Sequence, residues 1–152
     1  MPINIEDIKK LRDETGAGVI EAKKALDDVN GNLEEAKKAL LSKAGAKAAK
    51  KADRTAGDGL IYSYIHGNGK VGSLVHIACE TDFVAKTDDF KNLCKEIAMQ
   101  VCAEDYESVE EALSSEYMRD ASKTIQDVIN EVIAKLGEKI ELKRFTKFSV
   151  NN

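Results

Sequence analysis

The spacing of apolar residues changes near residue 55, and this change limits the possible folds more than any other feature of the sequence. Before it, apolar side chains recur every three or four positions, which predicts short amphipathic helices. After it, residues 60–66 and 71–79 are rich in β-branched and aromatic side chains, as is typical of strands. The stretch Thr55 to Gly59 contains two glycines and indicates a linker. We therefore expect a helical domain over residues 1–55 and an α+β domain over residues 56–152.

Three helices are predicted in the first domain. Asn4 and Asn32 can each cap a helix start, and each is followed three residues later by an acid. Gly16 can end the first helix in a left-handed conformation, and Asn30-Gly31 breaks the second. The residues expected to be buried are Ile5, Ile8 and Leu11, then Val19, Ala22, Leu26 and Val29, then Leu33, Ala36, Ala39 and Leu40. Short helices with tight turns predict a compact bundle.

The second domain is predicted to be a small antiparallel three-stranded sheet packed with helices, which makes the fold class α+β. Residues 67–69, Gly-Asn-Gly, join the first two strands as a hairpin. Both strands carry apolar residues on both faces, so helices are expected to cover the sheet. Further helices are predicted from Asp88 and Ile125, and Gly137 ends the last one. A third strand is expected over residues 140–150. Its apolar residues on one shared face would be Ile140, Leu142, Phe148 and Val150.

Composition excludes several classes of protein. The sequence contains no run of 18 apolar residues, so it predicts no membrane span. The first residues also lack the features of a secretory signal. Three cysteines, Cys79, Cys94 and Cys102, are typical of reduced thiols inside a cell. We expect a cytoplasmic protein that does not bind a membrane, a metal or a cofactor. A net charge of −4 also disfavours direct nucleic-acid binding.

The basic tract from Lys37 to Arg54 has two interpretations. Its seven positive charges can complement the carbonyl groups at a solvated helix end, or they can form an RNA-binding patch. No aromatic residues interleave with the lysines, which favours the first interpretation. The second would make the chain an RNA- or ribosome-associated binding module.

The sequence contains no strong catalytic signature. A glycine-rich phosphate loop of the form G-x-x-x-x-G-K-[ST] is absent. Cys94 and Cys102 lie on an apolar helix stripe, which indicates buried structural thiols. An enzyme that uses Cys79 as a nucleophile is an alternative, but we expect a protein that is not an enzyme.

The best candidate for a binding site is the stretch Thr81, Asp82, Phe83, Val84 and Ala85, which we call the tip. It lies between a predicted strand and a predicted helix, and binding groups often lie on such connections. An exposed acid beside a rigid ring suits a wedge that enters a slot on a partner. In the alternative, Phe83 and Val84 fold into the core and Thr81 only caps a turn.

Several motifs, which span nearly the whole chain and occur in the order typical of the family, resemble the bacterial elongation factor Ts family. The resemblance is to a short form with one core copy. The first is Leu-Arg-Asp-Glu-Thr-Gly-Ala-Gly at residues 11–18, followed by Lys-Lys-Ala-Leu at 23–26. The second is Cys-Glu-Thr-Asp-Phe-Val-Ala at residues 79–85. Further matching segments are Tyr64-Ile65-His66 with Val71-Gly72, and Gly137-Glu138 followed by Lys143-Arg144-Phe145.

The resemblance implies a ubiquitin-associated-like three-helix domain, an α+β core and a guanine-nucleotide exchange function. The partner would be elongation factor Tu, a GTPase of translation elongation. The tip would meet the Mg²⁺ and switch region of that GTPase, with Asp82 and Phe83 intruding. The residues that the resemblance assigns to other contacts are Arg12, Val19, Ile20 and Lys23 in the first domain, and His66 and Leu136 in the core.

The chain departs from the family pattern at some positions. His76 stands where an acid is usual, and Lys139 stands where asparagine is usual. The segment between Cys102 and Tyr117 is short, so a helical excursion of other members is expected to be missing. Long members repeat the core and single-core members can pair, so a homodimer is possible here.

Overall fold

The computed structural model describes residues 3–151, which form seven helices and five strands. Met1, Pro2 and Asn152, at the ends of the two predicted domains, lie outside the described residues. In chain order the elements are α1 (Ile5–Thr15), α2 (Val19–Asp28), α3 (Leu33–Lys50), β1 (Asp58–His66), β2 (Val71–Cys79), α4 (Asp82–Ala85), α5 (Asp88–Ala103), α6 (Val109–Ser114), β3 (Glu116–Tyr117), β4 (Asp120–Thr124), α7 (Ile125–Leu136) and β5 (Glu141–Ser149). The predicted α+β fold is confirmed: α1 to α3 form a ubiquitin-associated-like bundle, and β1, β2 and β5 form an antiparallel sheet with β2 in the centre.

Side-chain caps fix the ends of the bundle helices. Asn4 accepts a hydrogen bond from the amide of Glu6 at 2.9 Å, and Asn32 accepts one from the amide of Glu35 at 3.1 Å. Gly16 ends α1 with φ of 74°, a left-handed conformation that costs glycine little. These predicted helix boundaries are confirmed.

Three residues predicted to be buried in the bundle are exposed. Ile5 lies in the first turn of α1 with 80% of its surface exposed, and Val19 begins α2 at the bundle's edge. Ala39 faces solvent, while Lys37 on the same helix is buried. For Ala39, the prediction was wrong because α3 turns part of its surface towards the α+β part rather than towards α1 and α2. A single alanine also carries too little apolar surface to identify a buried face.

One long helix connects the bundle with the α+β part. Leu40 of α3 packs in the bundle core with Leu11 and Leu26, whereas Ala48, two turns later, packs against the core of the α+β part. Helix α3 also packs along α7. The bundle and the α+β part are therefore joined by a packed helix as well as by the linker.

A cluster of charged side chains lies at this junction, and we call it the junction cluster. Lys37 donates a hydrogen bond to Asp120 at 2.5 Å. Lys123, only 6% exposed, donates to the carbonyl oxygen of Glu14 at 2.5 Å and to Glu131 at 2.8 Å. Residues from α1, α3, β4 and α7 therefore meet through charge-assisted hydrogen bonds.

Burial and charge act in opposite directions on the two acids of the α+β part in this cluster. Burial raises the pKa of Glu131 to about 7, although Lys123 favours its ionised form. Burial also opposes ionisation of Asp120, but hydrogen bonds from Lys37 and Ser122 outweigh it and lower the pKa to about 2.

The third strand contains a β-bulge that the sequence pattern did not predict. Ile77 pairs with Leu142 and His76 pairs with Arg144, so Lys143 is an extra residue in β5. An extra residue shifts the strand's alternation by one position, and all later side chains change face.

The predicted shared face of the third strand was therefore wrong. Ile140 and Leu142 are buried, but Phe148 is 78% exposed and Val150 is exposed as well. Phe145 takes the inward position and packs against the core.

In the part of the chain that the structure describes, helices cover one face of the sheet. Helix α5 packs on β1 and β2, and it buries Phe90 and Ile97 against Val75 and Ile77. The opposite face, which we call the open face, exposes apolar side chains, and part of this face forms a groove of about 430 Å³. Its members are Ile61, Ile65, Leu74 and Phe148. The prediction of a sheet covered on both sides was wrong for this face.

Strands β3 and β4 form a two-stranded hairpin that sequence analysis missed. The buried amide of Gln100 donates hydrogen bonds to Tyr106 and to the carbonyl oxygen of Glu116, both at 2.9 Å. It also accepts one from the amide of Met118 at 3.0 Å. These bonds fix the hairpin on α5. No helix within residues 3–151 has the length and apolar character needed to span a membrane.

Candidate partner-binding site

The tip is a single helical turn, α4, between two capped helix starts. Thr81 caps α4 and accepts a hydrogen bond from the amide of Val84 at 3.4 Å. Thr87 caps α5 and accepts one from the amide of Phe90 at 3.2 Å. Each threonine begins a helix, so the backbone changes direction at both ends of α4. The short helix therefore projects as a defined turn rather than as an irregular loop.

The tip is divided into an outer and an inner side. Phe83 is 80% exposed, whereas Val84 and Ala85 are buried in the core beside Cys79. Core packing, the alternative interpretation, therefore holds for Val84 and fails for Phe83. An exposed ring on an anchored turn can enter a slot on another molecule without unfolding its own core.

Asp82 lies beside Phe83 and carries an exposed carboxylate. Its side chain accepts a hydrogen bond from Lys86 at 3.2 Å, one helical turn away. Such exposed pairs contribute at most about 1 kcal/mol, so this contact can be exchanged for a partner's groups. The outer side of the tip therefore presents an acid and a phenyl ring next to each other.

The base of the tip is held by a carboxylate from a distant segment. Glu138 accepts hydrogen bonds from the amides of Glu80 and Thr81 at 3.1 and 3.0 Å, and from the Thr81 hydroxyl at 2.7 Å. Cys79 adds a thiol hydrogen bond to the carbonyl oxygen of Thr81 at 3.1 Å. Sequence analysis missed Glu138 as a site residue because 57 residues separate it from Thr81 and no local pattern links them.

The candidate residues of the bundle lie on neighbouring helices α1 and α2. Arg12 and Lys23 are exposed, and so are Val19 and Ile20. Ile20 exposes 86% of its surface, more than any core residue could, which excludes core packing for it. The bundle thus presents two exposed apolar residues and two exposed cations on these two helices.

The other two candidates occupy different places. Leu136 is partly buried against the core at the end of α7, immediately before Gly137 and Glu138 at the base of the tip. His66 is exposed at the far end of β1, and its Nδ1 lies 3.1 Å from the Tyr64 hydroxyl. Because Asp58, not His66, pairs with Cys79, about 27 Å of strand separates His66 from the tip's side of the sheet.

Cys79 and Cys94 are poor candidates for a nucleophile. All three are free and buried, and burial raises the pKa of Cys79 to about 11 and that of Cys94 to about 12. A thiol in this state carries almost no thiolate at neutral pH. The hypothesis of an enzyme that uses Cys79 therefore has no support in the site's electrostatics.

The basic tract is partly occupied by contacts within the chain. Lys37 is buried in the junction cluster, and Lys43 and Lys47 lie 3.4 and 3.8 Å from the carboxylate of Glu21. These contacts favour the structural interpretation over an RNA-binding patch. Within residues 3–151, no group of three or more His, Cys, Asp or Glu side chains is arranged to hold a metal.

Comparison with known proteins identifies close relatives. A family model described as "Elongation factor TS" matches residues 80–152. The chain is 39% identical to an elongation factor Ts of Caldanaerobacter subterraneus subsp. tengcongensis, with 96% of each chain covered. It is 42% identical to that of Coprothermobacter proteolyticus, with 99% of each covered. It is 45% identical to that of Clostridium acetobutylicum, where 99% of this chain covers 49% of the relative.

Two of these alignments are longer than the chain itself. Those with the first two relatives extend over 191 and 195 positions, more than the 152 residues of this chain. These relatives therefore contain a stretch that this chain lacks, as expected from its short form.

Proposed function

Because the chain belongs to the elongation factor Ts family of translation elongation factors, we propose that it is the guanine-nucleotide exchange factor of elongation factor Tu in the cytoplasm. The observation that carries the proposal is the tip, with Phe83 exposed and Val84 and Ala85 buried. In this proposal, residues 1–55 form a docking domain and residues 56–152 form the core that carries the tip. The chain acts by binding and is not an enzyme.

The mechanism follows from how a GTPase holds GDP. Backbone amides and Mg²⁺ hold the phosphates. Phe83 enters beside the elements that hold Mg²⁺ and displaces them, while the Asp82 carboxylate disturbs the local charge. The loss of a divalent cation weakens the grip on the phosphates without any change at the base.

Exchange requires no consumed reactant, because the coupling between the two ligands is reciprocal. If the factor weakens nucleotide binding, nucleotide weakens binding of the factor by the same free energy. A coupling of roughly 4 kcal/mol changes either affinity about a thousandfold. Entry of GTP therefore releases the factor.

Release of a fluorescent GDP from the cognate elongation factor Tu tests this function. An excess of unlabelled nucleotide is added, with and without a small fraction of the factor. Each molecule of factor is expected to release many molecules of GDP, since it leaves after each exchange. Release at the unassisted rate would contradict the proposal.

Docking by the bundle predicts a separate effect on affinity. Ile20→Asp places a charge in the docking contact and removes an apolar side chain that is 86% exposed in the free protein. Loss of about 1.5 kcal/mol or more of apolar burial raises the half-saturating concentration of factor at least about tenfold. The maximal rate of GDP release is expected to stay near that of the wild type, since the tip is unchanged.

Ile5→Asp is the matched control, because Ile5 is an isoleucine with 80% of its surface exposed at the other end of α1 from Arg12. It is expected to leave the half-saturating concentration unchanged. Equal effects of both substitutions would argue against a specific docking role for Ile20.

We also propose that the open face pairs with a second copy of the chain. Ile65, Gly72 and Phe148 follow one another across the three strands, and the apolar side chains of Ile65 and Phe148 are exposed on either side of the glycine. The chain spans about half of the Clostridium acetobutylicum relative, so a second copy would supply a comparable length of chain. The two sheets would then bury each other's apolar residues.

The pairing predicts a change in oligomeric state. Phe148→Glu places a charge in the interface and is expected to raise the dissociation constant of the dimer at least about a hundredfold. Sedimentation velocity at several concentrations measures the shift from dimer to monomer, with Ile20→Asp as a control outside the open face. A wild type that stays monomeric at high micromolar concentration would contradict this proposal.

A further inference from the structure

We infer that Glu138 is a positioning residue that sets the conformation of the tip for nucleotide exchange. One oxygen of its carboxylate accepts the amides of Glu80 and Thr81, and the other accepts the Thr81 hydroxyl. All three donors lie at the entry to α4. No other side chain between residues 3 and 151 makes three hydrogen bonds to this entry.

A second carboxylate ties the same two segments in the opposite direction. Glu80 accepts a hydrogen bond from the backbone amide of Lys139 at 2.6 Å, and this bond lowers the pKa of Glu80. Each segment thus supplies an acid to the backbone of the other. This reciprocal arrangement holds residues 80–81 and 138–139 at a fixed separation.

The Thr81 hydroxyl transmits the effect of Glu138 to the tip. It donates its single hydrogen to Glu138, so its oxygen remains available to accept the amide of Val84 and cap α4. Without Glu138 the hydroxyl can rotate, and the amides of residues 80 and 81 lose their partner. The direction in which Phe83 leaves the core then becomes less defined.

The inference rests on the proposed exchange function, and it assigns Glu138 to a different step from docking. A misplaced wedge reduces the rate within the bound complex, because small errors in position have large effects on reacting geometry. The affinity of the complex depends mainly on other contacts. Glu138 therefore affects the maximal rate of release and leaves the half-saturating concentration nearly unchanged.

The test measures GDP release across a range of factor concentrations for Glu138→Ala and Glu138→Gln. Alanine is expected to lower the maximal rate about tenfold or more, and glutamine to lower it less, because its carbonyl oxygen can still accept both amides. Hydrogen exchange at the amides of Glu80 and Thr81 is expected to accelerate in the alanine variant. Glu96→Ala is the matched control, since Glu96 fixes the β3–β4 hairpin through Tyr117 and Arg119.

A folded Glu138→Ala variant with the maximal rate of the wild type would overturn the inference. If that variant does not fold, Glu138→Asp replaces it, because its shorter side chain keeps the charge but cannot reach all three donors. A wild-type rate for the aspartate variant would overturn the inference equally. If instead the wild-type factor releases no GDP, the proposed function fails, and protection of the two amides then shows whether Glu138 still orders the turn.

Discussion

Replacement of both Asp82 and Phe83 by alanine is expected to remove most of the acceleration of GDP release, about a hundredfold or more. Both side chains are exposed in the free protein, so their loss leaves the core intact. The anchoring residues Val84 and Ala85 are retained, and Thr81 still caps α4. The variant should therefore fold and still dock through its bundle. Its remaining defect is the missing wedge, which acts only within the complex.

The measurement is the fluorescent-GDP chase at saturating factor, combined with a thermal melt. Ile5→Ala with Glu6→Ala is the matched control, because it removes an exposed apolar side chain and an adjacent acid at the start of α1. The control is expected to keep the wild-type rate. A tip variant that is as active as this control would sink the proposed role of the tip.

The second large effect concerns stability. Lys123→Ala is expected to destabilise the folded state by about 3 kcal/mol or more at a pH above about 7, where Glu131 is mostly ionised, since removal of one partner from a buried ion pair leaves the other charge uncompensated. Lys123 is buried, and its ammonium group serves both Glu131 and the carbonyl oxygen of Glu14. Urea unfolding measures the loss. Lys95→Ala, which removes an exposed lysine, should change the free energy of unfolding by less than about 0.5 kcal/mol.

The pH dependence of the same cluster has a definite sign. The pKa of Glu131 is raised from 4.5 to about 7 in the folded state, so the folded state binds the proton more tightly than the unfolded chain. The free energy of unfolding therefore gains a contribution of up to about 3 kcal/mol as pH falls from 7 towards 4.5. Glu131→Gln should remove this contribution. If the variant kept the full pH dependence of the wild type, another group would have to be responsible.

Features that depend on neighbours within one helical turn were predictable from the sequence. Asn4 and Asn32 each accept an amide of the following turn, and Gly16 and Gly137 each end a helix in a left-handed conformation. The stripe from Ile125 to Leu136 carries enough apolar surface to define α7 in full. In each case the residues that decide the structure lie next to one another in the sequence.

Features that depend on distant residues were not predictable in this way. The bulge at Lys143 reverses the direction of Phe148, and nothing within β5 marks it, because the shift is defined only against β2. Lys37 can be buried because Asp120, 83 residues later, accepts a hydrogen bond from its ammonium group. An isolated helical pattern assigns such a lysine to solvent, since charged residues are rarely buried without a partner.

The candidate site divides along the same line. The order of Asp82 and Phe83 within a short connection marked the outer side of the tip. The sequence alone left open whether Phe83 was exposed, because a phenylalanine beside Val84 suits a core equally well. The role that we infer for Glu138 depends on a contact across 57 residues, and this contact is visible only in the folded chain.

Under the proposed function, the continuity of α3 limits which partners the molecule can accept. This helix is about 27 Å long and packs at one end in the bundle and at the other against the α+β part. The surface around Ile20 and the ring of Phe83 therefore keep a constant spacing. A GTPase that carries both complementary surfaces at a different spacing could engage only one of them at a time, and it would lose the gain that comes from simultaneous contact. Selectivity among related GTPases can thus arise from the distance between these two surfaces, even where the contacting residues are the same.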